Sequence, residues 1–380
     1  MSRPGPPETA VEGTVASGFE PLRDAFAEVV GSQGGETGAA FAATVEGRTV
    51  VDLWGGAAGG GRRWRADTLC VLFSGTKGAL ATALLVLADR GALRLSDRVA
   101  DHWPEFAAAG KGEITIAQLG AHAAGLPWIE RRLEASALAD PVLLAETLAA
   151  QAPVLPVGRP CYHALTFGWL CEGLVRRVAG RSVAELVASD LAGPLELDLR
   201  IGLRGDAAAA GRLARLRRAP GYQLSALAVD DPDPRLELVY GNPPLGDFVA
   251  DVGWLQPPVA SANGIATARA MATLYGALVT GELVSEAMLA AALETASAGD
   301  DPLSGRPLRF GAPGYELSGT PSELGPPAGA FGHTGAGGSS HGGWPDLRTG
   351  FSFVTSELRR EDLDHRSSTL LATLHGCLVG

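Results

Sequence analysis

A serine at position 74 and a lysine at position 77, in the stretch VLFSGTKGAL, carry the first chemistry that the chain suggests. On a helix, residues three apart face each other across one turn. A serine hydroxyl is a weak nucleophile until a neighbouring base takes its proton, and lysine becomes such a base once burial or a nearby group destabilises its ammonium. Arginine cannot substitute, because it stays protonated. The chain holds 29 arginines and two lysines, so a lysine kept beside this serine points to a group that must lose a proton. Taken alone, S-x-x-K also arises by chance and carries little weight.

Two further segments follow in order. PVGRPCYHALTFGWLCEGLVRRVAGRS places Tyr162 just ahead of a helical pattern, and FGHTGAGG places His333, Thr334 and Gly335 on a strand edge. With these, the chain resembles the serine hydrolases of the class C β-lactamase and D-Ala-D-Ala carboxypeptidase superfamily, in particular its family VIII-like esterase or transacylase branch. The resemblance runs from about residue 38 to 358. SGTK with LLVLADRGALRLSDRVADHWPEF is similar to the family's nucleophile helix, ITIAQLGAHAAGLP to the segment after it, YHALTF to its Y-x-N motif and HTG to its K-T-G strand.

The resemblance implies an acylated nucleophile at Ser74, a proton partner at Lys77 and a proton shuttle at Tyr162, with the division of base duty between Lys77 and Tyr162 left open. It also implies an oxyanion hole from the backbone N–H groups of Ser74 and Ala336. Two positions depart from the motif: its asparagine is Ala164 and its K-T-G lysine is His333. A histidine is mostly neutral near pH 7, so both changes favour neutral acyl donors over anionic lactams.

His333, Thr334 and Gly335 are expected at the substrate, and His341 and Trp344, just beyond the strand turn, are candidate substrate contacts. Each has a plainer reading. Tyr162 could be an interface tyrosine, His333 a strand residue bonded to Thr334, and Trp254 and Trp344 core side chains. His122 reads as a packed, hydrogen-bonded histidine. In SANG, Ser261 and Asn263 resemble a pocket-rim loop but read more simply as a helix cap.

These groups need a scaffold. FEPLRDAFAEVVGS has helical spacing, TGAAFAATVEGRTVVDLWGGAA alternates as a hairpin about Glu46 and Gly47, and Ala and Leu fill about four turns after Ser74 up to Gly91. Helices are expected over residues 116–122, 142–151, 165–179, 183–191 and 265–279. Surface loops bordering a pocket are expected over 204–258, with two strands about a turn after Gly329 and a closing helix from Asp364.

The expected fold is therefore α/β (α+β), β-lactamase/penicillin-binding-protein-like. An antiparallel sheet domain comes from residues 1–72 and 260–380, and a mainly helical region with pocket-lining loops from 73–259.

Composition narrows the function. A net charge of −11 argues against nucleic-acid binding, so the pairs Arg131-Arg132, Arg176-Arg177 and Arg217-Arg218 read as solvated helix faces. GGAAGGGRR lacks the strand and helix order of a phosphate loop. No stretch is apolar enough to span a membrane, and the first 18 residues, disordered-looking, lack the apolar core of a secretory signal, so a cytoplasmic address is expected. The cysteines Cys70, Cys161, Cys171 and Cys377 lack metal-type spacing and read as small buried hydrophobes. No metal or cofactor is expected. The expected partners are a small-molecule ester or amide donor and, in one variant, an amine or alcohol acceptor. Hydrolysis of a carboxylic ester is the first reading, and acyl transfer in natural-product assembly the alternative. Lactamase, cell-wall peptidase and a catalytically silent binding module rank below both.

Overall fold

The computed structural model describes residues 11–228, 232–319 and 323–380. A ten-stranded sheet runs in the order Val11–Val15, Arg48–Gly59, Gly38–Val45, Thr349–Thr355, Ser339–Trp344, Phe331–Gly335, Glu316–Leu317, Pro307–Gly311 and Thr295–Asp300, with Arg62–Arg63 paired onto Arg48–Gly59. Its pairings are antiparallel. The two ends of the chain thus meet in one sheet, where Gly38–Val45 pairs with Thr349–Thr355.

Both sheet faces are covered. Helices Pro21–Gly31 and Arg366–Val379 close one face over Phe41, Leu53, Trp344, Phe351 and Phe353. Helix Ala268–Val279 closes the other. It sits so close that a side chain on Gly350 would strike the backbone of Gly276 at 2.3 Å. Covered on two sides, Gly38–Val45 reads as a nearly continuous apolar run, as a central strand should.

Helix Thr76–Asp89 lies between the sheet and the helical segments and is buried from Thr76 through Ala88, which explains why Ala and Leu fill it on all sides. Gly264–Ala266 pairs with both Cys70–Val71 and Leu199–Ile201 and ties the start of that helix to the middle of the chain.

Several expectations need correction. Val11–Val15, placed in the disordered-looking leader, is an edge strand held on Arg48–Gly59, while residues 1–10 of that leader lie outside the described residues. The loop region 204–258 contains helices Ala207–Arg212 and Leu236–Gly241, and its residues 229–231 also lie outside. Three strands of the large sheet, then the two-residue strand Glu357–Leu358, follow Gly329 where two were expected, because Pro345–Leu347 makes a second reversal. Helix Ala268–Val279 starts late, its first residues being taken by the Gly264–Ala266 strand. Arg217-Arg218 is a short strand and Arg131-Arg132 lies outside any helix, so Arg176-Arg177 alone ends a helix, as charge at a C-terminus favours. Cys70, Cys161 and Cys171 are buried, but Cys377 is half-buried.

Candidate active site

The backbone before Ser74 is bent to present it. Phe73 has φ 46°, a left-handed conformation that a bulky residue adopts only when its surroundings impose it. Leu72 N–H donates to Gly264 at 2.8 Å, Thr76 Oγ1 bonds Phe73 O at 2.5 Å and receives Gly264 N–H at 2.8 Å, and the Phe73 ring lies against Phe248 and Trp254. Gly75, Thr76 and Lys77 donate to residues three back, forming a tight turn that leads into the Thr76–Asp89 helix. Ser74 is therefore half-buried at a helix N-terminus, where the dipole favours developing negative charge.

Lys77 is fully buried, and its Nζ donates to Ser74 Oγ at 3.1 Å and to Ser261 O at 2.9 Å. Burial pulls its pKa down to about 7, against the opposing pull of the Glu316 carboxylate. At neutral pH a large share of the amine is free of its proton. Ala164, at the asparagine position, brings no amide, and the Ser261 carbonyl is the group that anchors the lysine instead.

The Lys77 amine lies 4.9 Å from the Tyr162 ring centre, and the nearby Ser74 hydroxyl favours the phenol's ionised form. Burial first, then Glu316, pushes the phenol well above its ordinary pKa, so it stays protonated. Asp301 fixes its backbone, accepting from Tyr162 N at 2.8 Å, and Phe310 stacks on its ring at 6.3 Å.

His333 faces the same site from the Phe331–Gly335 strand, its ring 6.2 Å from that of Tyr162. It is fully buried with Nδ1 2.8 Å from Thr334 O, and burial first, then Lys77, holds its pKa near 3, so no cation stands here at neutral pH. Glu316, which sequence reasoning missed, accepts from Thr334 N at 2.8 Å and from Thr334 Oγ1 at 3.1 Å, and stands 3.4 Å from His333 Nδ1. It sits on a two-residue strand and no local pattern announces it. Gly335 closes the strand against Leu72 O, where a side chain would sit 2.3 Å away. Beyond it, half-buried Ala336 turns the chain back.

The remaining candidates lie elsewhere. His341 is fully buried behind the nucleophile turn, bonded through Nδ1 to Ser352 Oγ at 2.8 Å, and a side chain on Gly75 would strike its ring at 2.4 Å. It supports the turn from beneath and has no surface to offer a substrate. Trp344 is on the opposite sheet face, packed on Phe351 and donating to Leu324 O at 2.8 Å. Both substrate-contact expectations fail, Trp344's because residues three apart on a strand point to opposite faces. The helix-cap reading of SANG fails too. Thr267 caps helix Ala268–Val279, whereas the Asn263 amide binds Trp254 O at 3.0 Å and Pro257 O at 2.7 Å, shaping the loop that aims Ser261 O at Lys77. His122 is buried and accepts His163 N–H at 2.9 Å through Nδ1, in keeping with a packed histidine.

The family model described as Beta-lactamase matches residues 19–374. The chain belongs to the beta-lactamase family. It is 36% identical over 360 residues to the esterase/beta-lactamase LipL of Mycobacterium tuberculosis, covering 90% of this chain and 80% of that protein. Among solved structures it is similar to a family VIII carboxylesterase, at 35% identity and TM-score 0.88 over 97% of this chain and 100% of the other. A penicillin-binding protein homologue from Caulobacter crescentus matches at 34% identity and the same TM-score of 0.88, over 97% and 100% of the two chains. The ten-stranded antiparallel sheet with flanking helices is the fold of this family.

Proposed function

We propose that this protein hydrolyses small-molecule carboxylic esters through an acyl-enzyme on Ser74. The observation that carries this is the 3.1 Å hydrogen bond between Ser74 Oγ and the buried Lys77 amine, whose pKa lies at about 7. Neutral Lys77 takes the Ser74 proton as Oγ adds to the ester carbonyl. The carbonyl oxygen becomes an oxyanion between the amides of Ser74 and Ala336, neither of which donates to another group among the described residues. As the intermediate collapses, the C–O bond to the alcohol breaks and the proton held by Lys77 reaches the departing oxygen, with the Tyr162 phenol as relay. A water then adds to the acyl carbon, Lys77 takes its proton, and collapse returns the proton to Ser74 and frees the acid.

The substrate class follows from what the pocket lacks. With His333 uncharged, the Phe331–Gly335 strand itself offers no cation beside Thr334 for a substrate carboxylate, and the Thr334 hydroxyl is already bonded to Glu316. Neutral esters suit this site better than anionic lactams, as esterase and carboxylesterase relatives suggest. An amine or alcohol acceptor, as natural-product assembly would require, would intercept the same acyl-enzyme.

Intact mass after exposure to a p-nitrophenyl ester tests the reading. An acyl increment on wild type that vanishes in Ser74→Ala is expected, and turnover surviving that substitution would end the proposal. Adding an amine to the same assay separates hydrolysis from transfer by whether amide accumulates.

A further inference from the structure

A groove of about 850 Å³ runs beside the nucleophile turn, in the range of small-molecule sites. Its wall is apolar, with Val71, Leu203, Leu213, Leu255 and Phe248 along it and Val252, 55% exposed, at the rim. Four arginines edge it. Two are neutralised, Arg217 by Glu36 and Arg218 by Asp247 at 2.8 Å.

The other two are not. Arg62 donates to Gly211 O, Ala58 O and Leu213 O, which fix its guanidinium without cancelling its charge. Arg215 is exposed, its stem lying over Gly59 and Gly60, and it meets no carboxylate among the described residues. In a chain of net charge −11, two cations that meet no carboxylate among the described residues, on the lining of an apolar groove, are an unusual pairing.

We propose that this groove is a second ligand site, for an amphiphile with a linear apolar chain and a terminal carboxylate, of the fatty-acid type. Its chain lies along Phe248, Val252 and Leu255 and its carboxylate on Arg215 and Arg62. Charge complementarity selects an anion, and the apolar wall selects an apolar body. The site is distinct from the acyl pocket, yet Val71 and Phe248 flank Phe73, the strained residue that presents Ser74, so an occupant touches the scaffold of the nucleophile turn. The inference does not rest on ester hydrolysis, since binding is read without turnover.

Calorimetric titration of the full chain with decanoate, below its micellar concentration, tests it. Decanoate is expected to bind wild type, Ser74→Ala and phosphonylated enzyme alike, and to bind about threefold to fourfold tighter per added methylene. Arg215→Glu should weaken decanoate about fivefold to tenfold and leave decanol unchanged, because Arg215 is exposed and contributes charge alone. No binding, equal loss of decanol and decanoate, or loss of binding on blocking Ser74 would each overturn the proposal, the last by placing the ligand in the acyl pocket. Tighter binding of an acidic peptide than of decanoate would overturn its choice of occupant.

Discussion

The chain's two lysines are both fully buried, and they do different work. Lys111 closes the Pro104–Gly110 turn, donating to Ala108 O at 2.7 Å and to Gln151 O, with its ammonium 5.3 Å from the Phe106 ring centre. Burial lowers its pKa to about 8, near the value of about 7 at Lys77. A depressed pKa therefore does not distinguish them. Their acceptors do: Lys111 meets two carbonyls that can never give up a proton, whereas Lys77 meets one carbonyl and a hydroxyl. Burial makes a lysine able to act as a base, and a protic neighbour gives it something to act on.

Exchanging each lysine for methionine should pull function and stability apart. Lys77→Met is expected to lower kcat by about 10²–10⁴ and to cost less stability than Lys111→Met, since it leaves one carbonyl without its donor where Lys111→Met leaves two. Tyr162→Phe should fall in the same range of about 10²–10⁴ if the phenol relays the proton. Lys111→Met should do the reverse, leaving kcat intact and costing about 1–3 kcal/mol in denaturant titrations, because buried carbonyls lose their donor. Equal loss of activity in both lysine variants would erase the distinction.

Rate against pH gives a smaller but sharper effect. The kcat/KM of wild type should rise through about pH 7 as Lys77 loses its proton. Neither His333 nor His341, both near 3, can supply that limb.

Stability should follow the same sign. The two lysines, lowered from 10.5 when buried, bind fewer protons folded than unfolded above about pH 7. Stability should therefore climb from about pH 7 to 9, and it should stop climbing as thiols of ordinary pKa 9.0 ionise in the unfolded chain while burial keeps Cys70, Cys161 and Cys171 protonated in the folded one, three thiols against two lysines. The climb in melting temperature should be shallower in Lys77→Met.

Glu316→Gln should give the smallest change. Removing the carboxylate that raises the Lys77 pKa moves the acid limb of kcat/KM to lower pH, and an unmoved limb would reduce Glu316 to a brace for Thr334.

Much of the scaffold was legible because it obeys local rules. The hairpin about Glu46 and Gly47 follows from alternation broken by a turn pair, and the Thr76–Asp89 helix from an Ala and Leu run that stops beside Gly91. Within the site, Ser74 and Lys77 were visible as a pair because helical spacing links them. Tyr162 and His333 entered through motif resemblance, since nothing local joins them to Ser74. His341 and Trp344 were misjudged together, although strand parity separates their faces.

The sequence by itself determined the periodicity of the helices and strands, the order of the chemistry-bearing segments and the scarcity of lysine. The tertiary structure decided which lysine would be a base, that Ser261 would hold it through a carbonyl, and that Glu316 would brace Thr334 from the neighbouring strand. The physical reason is range. Helix and turn propensities act within a few residues, but desolvation and hydrogen-bond pairing at Lys77 are set by Ser261, 184 residues away, and by strands that meet only when the chain ends close into one sheet.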